Sequence, residues 1–158
     1  MTPIGAVEAS ALGQAMRQWL WLYPSVEIVH ITGIALLFGS IAVFDLRLLG
    51  FAGKIPVRSL ASHVLPWTAA SFLLIIPSGL MMFTAHASDF IASPVFVTKM
   101  CLIMAAGINA ALFHAMAFRT AAGWDTDAPA PVAARAAGAV SLLLWVSVIA
   151  CGRLLAYF

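Results

Sequence analysis

The chain has 158 residues, 63% of them hydrophobic and 9% charged, with a formal net charge of +2. Soluble domains carry about 25% charged residues, so this composition excludes an ordinary soluble enzyme and points to a single membrane domain. A charge this small and scattered offers no surface for nucleic acid.

Residues 1–22 read as an amphipathic helix lying in the membrane interface. Thr2-Pro3 is a helix start. Ile4, Val7, Ala11, Ala15 and Trp19 recur at helical spacing, and Glu8, Gln14, Arg17 and Gln18 supply the polar side. The segment lacks the basic start, continuous apolar core and cleavage site of a signal peptide. Trp19, Trp21 and Tyr23 make an aromatic belt, and Pro24 is expected to separate this helix from the first span.

Residues 23–158 then carry four apolar stretches, at about 23–44, 60–85, 94–118 and 136–157. Each suffices to cross hydrocarbon, which takes about 20 helical residues. Helices satisfy their own backbone groups in lipid and the connections are short, so an all-α antiparallel four-helix bundle is predicted. Arg47, Lys54 and Arg58 crowd the first connection, and Arg119 and Arg135 flank the third. The second, from His86 to Ser93, has no Lys or Arg. The positive-inside rule therefore puts both termini outside, on the periplasmic face of a bacterial inner membrane. The third connection is Ala/Pro-rich and holds Trp124, Asp125 and Asp127; it reads as a solvated turn rather than a cation site. Cys101 and Cys151 lie inside spans and do not indicate a disulfide. No repeat, phosphate-binding glycine loop or nucleophilic triad is visible.

Ionisable residues inside spans are functional candidates because they are costly in hydrocarbon. By depth, His30 and His86 fall on the outer side and His63 and His114 on the inner side. Haem iron accepts axial imidazoles from facing helices. The leading expectation is thus a small redox component that binds haem b through these histidines and passes electrons. The inner pair is better matched in depth than the outer. Copper handling is the first alternative, because Met81, Met82, Met100, Cys101, Met104 and Cys151 join His30 and His86 at the outer depth and sulfur suits Cu(I). A cofactor-free accessory subunit of a larger complex is the second. Quinone, a larger redox complex and a second copy of the chain are the partners such a chain would take besides lipid.

Other polar residues have plainer readings. Glu27-x-x-His30 resembles half of a di-iron motif, but the further carboxylates are missing. Glu27 is expected to pair with Lys99, since either charge alone would be poorly solvated. His30 and Asn109 are expected to hydrogen-bond between helices. Asp45 and Arg47 are expected to snorkel or pack against the basic loop.

The segments Tyr23-Pro-Ser-Val-Glu27-Ile-Val-His30, Phe38-Gly-Ser and Asp45-Leu-Arg-Leu-Leu-Gly50 resemble a bacterial family of uncharacterised four-span membrane proteins. Pro66-Trp67-Thr68 and Asn109-Ala-Ala-Leu-Phe-His114 continue the likeness, which covers most of Leu20 to Arg119. The resemblance implies the four-span fold but no activity. It marks Glu27, His30, Asp45, Arg47, Lys99 and His114 as motif positions; His63 and His86 lie outside the motif. Likeness to membrane b-type cytochromes and copper-resistance domains is architectural only.

Overall fold

The computed structural model describes residues 2–126, 128–155 and 157, and among these there is helix but no strand. In chain order the helices are α1 (Pro3–Glu8), α2 (Ala11–Gln18), α3 (Leu22–Leu48), α4 (Val57–Ala85), α5 (Ala87–Ala92), α6 (Pro94–Ala115) and α7 (Val132–Leu154), with a 3-10 turn at Ala117–Gly123. The four long ones, α3, α4, α6 and α7, span 22 to 29 residues with mean hydropathy between 1.7 and 2.0. They are long and apolar enough to cross a bilayer, and the protein is a multi-pass membrane protein. At the basic end, α3 runs four residues beyond the predicted limit and α4 and α7 begin three and four residues earlier. Apolar composition stops at the first charge, whereas the helix continues through Asp45 and Arg47.

The N-terminal segment is two helices rather than one. Ser10 interrupts it, its Oγ accepting the Gly13 N–H at 3.1 Å as an N-cap of α2. Pro24 does not break the chain. It sits in the first turn of α3, where the helix needs no N–H; the bend falls instead at Trp19 to Trp21.

α3 is the central element. It packs on α4 along one side and on α7 along another, and α7 packs on α6. Small residues set these approaches. A Cβ on Gly33 would lie 2.7 Å from Ile75 and 3.1 Å from Leu74 of α4. A Cβ on Gly138 of α7 would lie 3.2 Å from the Asp45 carbonyl of α3. The backbones of α4 and α6 do not approach each other, nor do those of α3 and α6. The bundle is therefore an open ring, in the order α4, α3, α7, α6.

Both ends of this ring are closed. At the terminal end, Phe83 of α4, Phe90 of α5 and Phe96 of α6 stack with ring centroids 5.3–6.3 Å apart. There α2 is held against α4: Arg17 donates to the Ala85 carbonyl at 2.8 Å and to the Glu8 carbonyl at 2.7 Å. The Glu8 carboxylate accepts from the Ser88 N–H at 2.7 Å and from its hydroxyl. At the basic end, Ala121, Trp124 and Ala130 of the third connection are buried with Phe44, Leu48, Val57 and Phe113. Gly50, at φ +106°, turns the first connection back on itself.

Arg47 joins the two basic connections. It is buried and donates to the carbonyls of Ile55 (2.6 Å), Gly53 (3.0 Å) and Asp125 (3.0 Å). The Asp125 carboxylate in turn accepts the Arg58 N–H at 2.8 Å, and its carbonyl accepts the Val57 N–H at 3.0 Å, so it caps α4. The third connection is thus a structural latch rather than a solvated turn; Asp127 lies outside the described residues.

Two outcomes follow for the terminal end. A Cβ on Gly13 would meet the carbonyls of Glu8 and Thr84 at 2.6 and 2.8 Å, backbone that cannot step aside. Gly13→Ala should lower stability by about 1–3 kcal/mol, whereas Gly39→Ala, with open space around it, should not; thermal unfolding in detergent checks both. The Ser88 hydrogen bonds hold the Glu8 carboxyl below the ordinary carboxylate range. Their contribution is therefore present above the unfolded-state pKa and lost as pH falls through the lower folded value. The melting-temperature difference between wild type and Glu8→Gln should persist at neutral pH and vanish only on strong acidification.

Candidate functional site

Between α4 and α6, backed by α3 and α7, lies a cavity of about 270 Å³ in the basic half of the bundle. All four long helices line it. It exists because α3 draws α4 and α7 close while α6, of the four long helices, brings its backbone up to α7 alone. Its walls are largely apolar and include the aromatic rings of Phe44, Phe72, Phe113 and Trp145. Phe72, Gly107 and Ala110, on α4 and α6, line the cavity and are also exposed on the bundle surface. The cavity therefore opens sideways through the window between those helices.

One carboxylate faces it. Asp45 is 5% exposed, and its Oδ2 is buried with no hydrogen-bond partner. No Lys or Arg lines the cavity among the described residues. Arg47 does not compensate Asp45, because residues two apart on a helix point in nearly opposite directions, and its donors are taken by the loops. The polar neighbours on the cavity wall are Thr68, Asn109, His114 and Ser141. Asn109 spends its Nδ2 on the Ala137 carbonyl at 3.0 Å, tying α6 to α7; its side-chain oxygen is not used there. Thr68 is engaged with Ser40 at 2.9 Å and with the Val64 carbonyl at 3.1 Å. His114 is braced edge-on by Phe113 and Phe118, each 5.2 Å away between centroids. Leaving a buried carboxylate oxygen unpartnered costs about 1–3 kcal/mol or more, so the site as it stands calls for a donor.

The histidines singled out from sequence are not brought together. His63 is exposed and turned away from the cavity, its Nδ1 against the carbonyl of Ser59 in its own helix at 2.9 Å. It does not pair with His114, whose helix α6 keeps its backbone apart from that of α4. His30 is wedged between α3 and α4, with Nδ1 2.9 Å from Ser78 Oγ and 3.1 Å from the Ile75 carbonyl. Gly79 makes the space: a Cβ there would lie 3.1 Å from the imidazole. His86 is exposed at the junction of α4 and α5, 3.6 Å from Asp89 and edge-on to Tyr23. The four rings thus occupy four separate environments.

The sulfur ligands proposed from sequence disperse as well. Met81 and Met82 pack around Met16, Val26 and Ala85. Met100, Met104 and Cys101 are exposed on α6. Among the described residues no group of three or more His, Cys, Asp or Glu is arranged to hold a metal ion.

The expected Glu27–Lys99 pair is absent too. Among the described residues the one acid–base pair within 4 Å is His86–Asp89. Glu27 is exposed, and Lys99 reaches toward α7, its Nζ 3.7 Å from where a Cβ of Gly152 would stand. The cause is the ring order, which places α3 and α6 diagonally. Glu27→Gln and Lys99→Met should therefore have additive effects on stability, within about 0.5 kcal/mol, in a double-mutant cycle. A larger coupling would mean that the two charges meet.

Asp45, expected from sequence to snorkel or pack against the basic loop, is instead buried on the cavity wall. The available signal was its helical register. Ile41, Asp45 and Leu48 fall on one stripe of α3, and all three line the cavity.

One family model matches residues 5–158, and it describes a family of unknown function, DUF6644. No curated protein and no solved structure matches the chain.

Proposed function

The chain belongs to that family of unknown function, and we propose that it is an intramembrane binding protein whose site is the cavity around Asp45. The observation that carries this reading is the unpartnered Asp45 oxygen in a cavity lined by all four long helices. Carboxylates in spans mark ligand or ion pathways by default, and here the cavity supplies the room. At about 270 Å³ it lies just below the roughly 300–1,000 Å³ of pockets for drug-sized ligands. It suits one small molecule with a hydrogen-bond donor for the free oxygen of Asp45, with His114 and the Asn109 side-chain oxygen on the same wall for its other polar groups; Ser141 already stands beside the Asp45 carboxyl.

The positive-inside rule places the basic connections, and with them the cavity, on the cytoplasmic side of a bacterial inner membrane, and both termini outside. A cysteine introduced at residue 54 should be protected from an impermeant thiol reagent in whole cells, and one at residue 90 should react. The reverse pattern would invert the orientation.

Haem b is a second reading, favoured by one observation: His114 is the one histidine on the cavity wall. A porphyrin, with four linked rings, exceeds this space unless the helices separate. Electron transfer through a pair of histidines and copper handling draw no support from the positions of His30, His63, His86 and the sulfur groups.

The test is extraction of purified protein with organic solvent, followed by mass spectrometry, alongside a visible spectrum of the same sample. Wild type should carry a small molecule at near-stoichiometric level, and Asp45→Leu less than a tenth of it at unchanged melting temperature. Equal occupancy in the two proteins would overturn the Asp45 site. A porphyrin spectrum lost in His114→Ala would replace it with the haem reading.

A further inference from the structure

We infer that the cavity takes its ligand from the bilayer itself, through the window between α4 and α6, and that the ligand is a flat hydroxylated ring on a hydrocarbon tail, of the hydroquinone class. This rests on the cavity being a binding site and adds the route and the chemistry.

The route follows from how the ring of helices is closed. The aromatic stack of Phe83, Phe90 and Phe96 bridges α4 to α6 at the terminal end. The third connection, with buried Ala121 and Trp124, fills the basic end. A water-soluble ligand arriving from either face meets one of these plugs. Between them the helix backbones stay apart. The wall there is Phe72 on α4 and Gly107 and Ala110 on α6, which are both cavity-lining and surface-exposed. A Cβ added to Gly107 would meet nothing within 4 Å, so no side chain covers the wall at that point. In a membrane that wall adjoins acyl chains.

The chemistry follows from the lining. Phe44, Phe113 and Trp145 offer ring faces and edges, against which an aromatic head packs in offset or edge-to-face geometry. As the carboxylate, Asp45 offers acceptor oxygens, one of them unpartnered, and a head that brings a donor, as a phenolic hydroxyl does, satisfies it. The window then leads the tail out among lipid chains, where each methylene gains what it would in any apolar phase.

Trp145 gives a local readout. Protein in phosphatidylcholine nanodiscs is titrated with a long-chain alkyl hydroquinone, with its dimethyl ether, and with unsubstituted hydroquinone. Fluorescence quenching is taken as the difference between wild type and Trp145→Phe. The alkyl hydroquinone should quench saturably. The ether, which has no donor, and the tailless ring should each bind at least tenfold more weakly. Gly107→Leu, which adds bulk at the window from a Cβ that meets no atom within 4 Å, should weaken the alkyl probe at least tenfold at unchanged melting temperature. Equal binding of the tailless ring, unaffected by Gly107→Leu, would keep the cavity as a site and overturn the membrane route. Ether binding as tight as the hydroquinone would overturn the donor requirement. No Trp145 quenching by any probe would overturn the cavity reading itself. Efficient disulfide dimers of Gly107→Cys would show the window to be an interface between copies and overturn the lateral route.

Discussion

The close approach of α3 to both α4 and α7 is the constraint from which the rest of the structure follows. Gly33 lets α3 sit directly on α4, and Gly138 lets α7 sit on the Asp45 turn of α3. In hydrocarbon there is no hydrophobic drive between helices, so small residues that permit such contact decide which helices pair. Once α3 has taken both neighbours at this range, α6 is left attached through α7. Four equally spaced helices would have filled their centre with side chains. This unequal spacing leaves the cavity, and it also turns Asp45 into the cavity rather than into a loop.

Polar groups in the bundle divide accordingly. Those lying between paired helices are satisfied: His30 by Ser78 and the Ile75 carbonyl, Ser40 by Thr68, Asn109 by the Ala137 carbonyl. Those at the basic end are satisfied by loop carbonyls, as Arg47 is. Asp45 belongs to neither group: α7 packs on its backbone at Gly138, yet one oxygen of its buried carboxyl has no partner. Its environment, rather than its residue type, makes it the candidate for function. The same criterion sets aside His63, His86, Met100 and Met104, which have suitable chemistry and the wrong placement.

The number of spans, their approximate limits and the two basic connections were legible because composition and helix length are local properties. The break at Ser10, the capping of α4 by Asp125 and the burial of Trp124 were not. Each depends on a partner far away in sequence. The histidine pairings failed for a related reason. Depth along a span follows from residue number, but the face a residue presents, and which helix lies opposite, follow from the packing order. That order rests on contacts at Gly33 and Gly138 that a glycine in the sequence does not announce. Asp45 and Arg47 illustrate the point, being two residues apart and sharing a depth. One faces the cavity and the other the loops, because they stand on opposite sides of one helix.

A lipid-soluble carbodiimide tests the placement of Asp45 most directly, since it reaches carboxyl groups from the hydrocarbon phase. In membranes, followed by mass spectrometry of peptides, it should modify Asp45 despite that residue's burial. Gly107→Leu should suppress the adduct, and a water-soluble carbodiimide should leave Asp45 unmodified while labelling exposed carboxylates such as Asp89. Absence of any adduct at Asp45, or equal labelling by the two reagents, would contradict a carboxylate that opens to the bilayer through the window between α4 and α6.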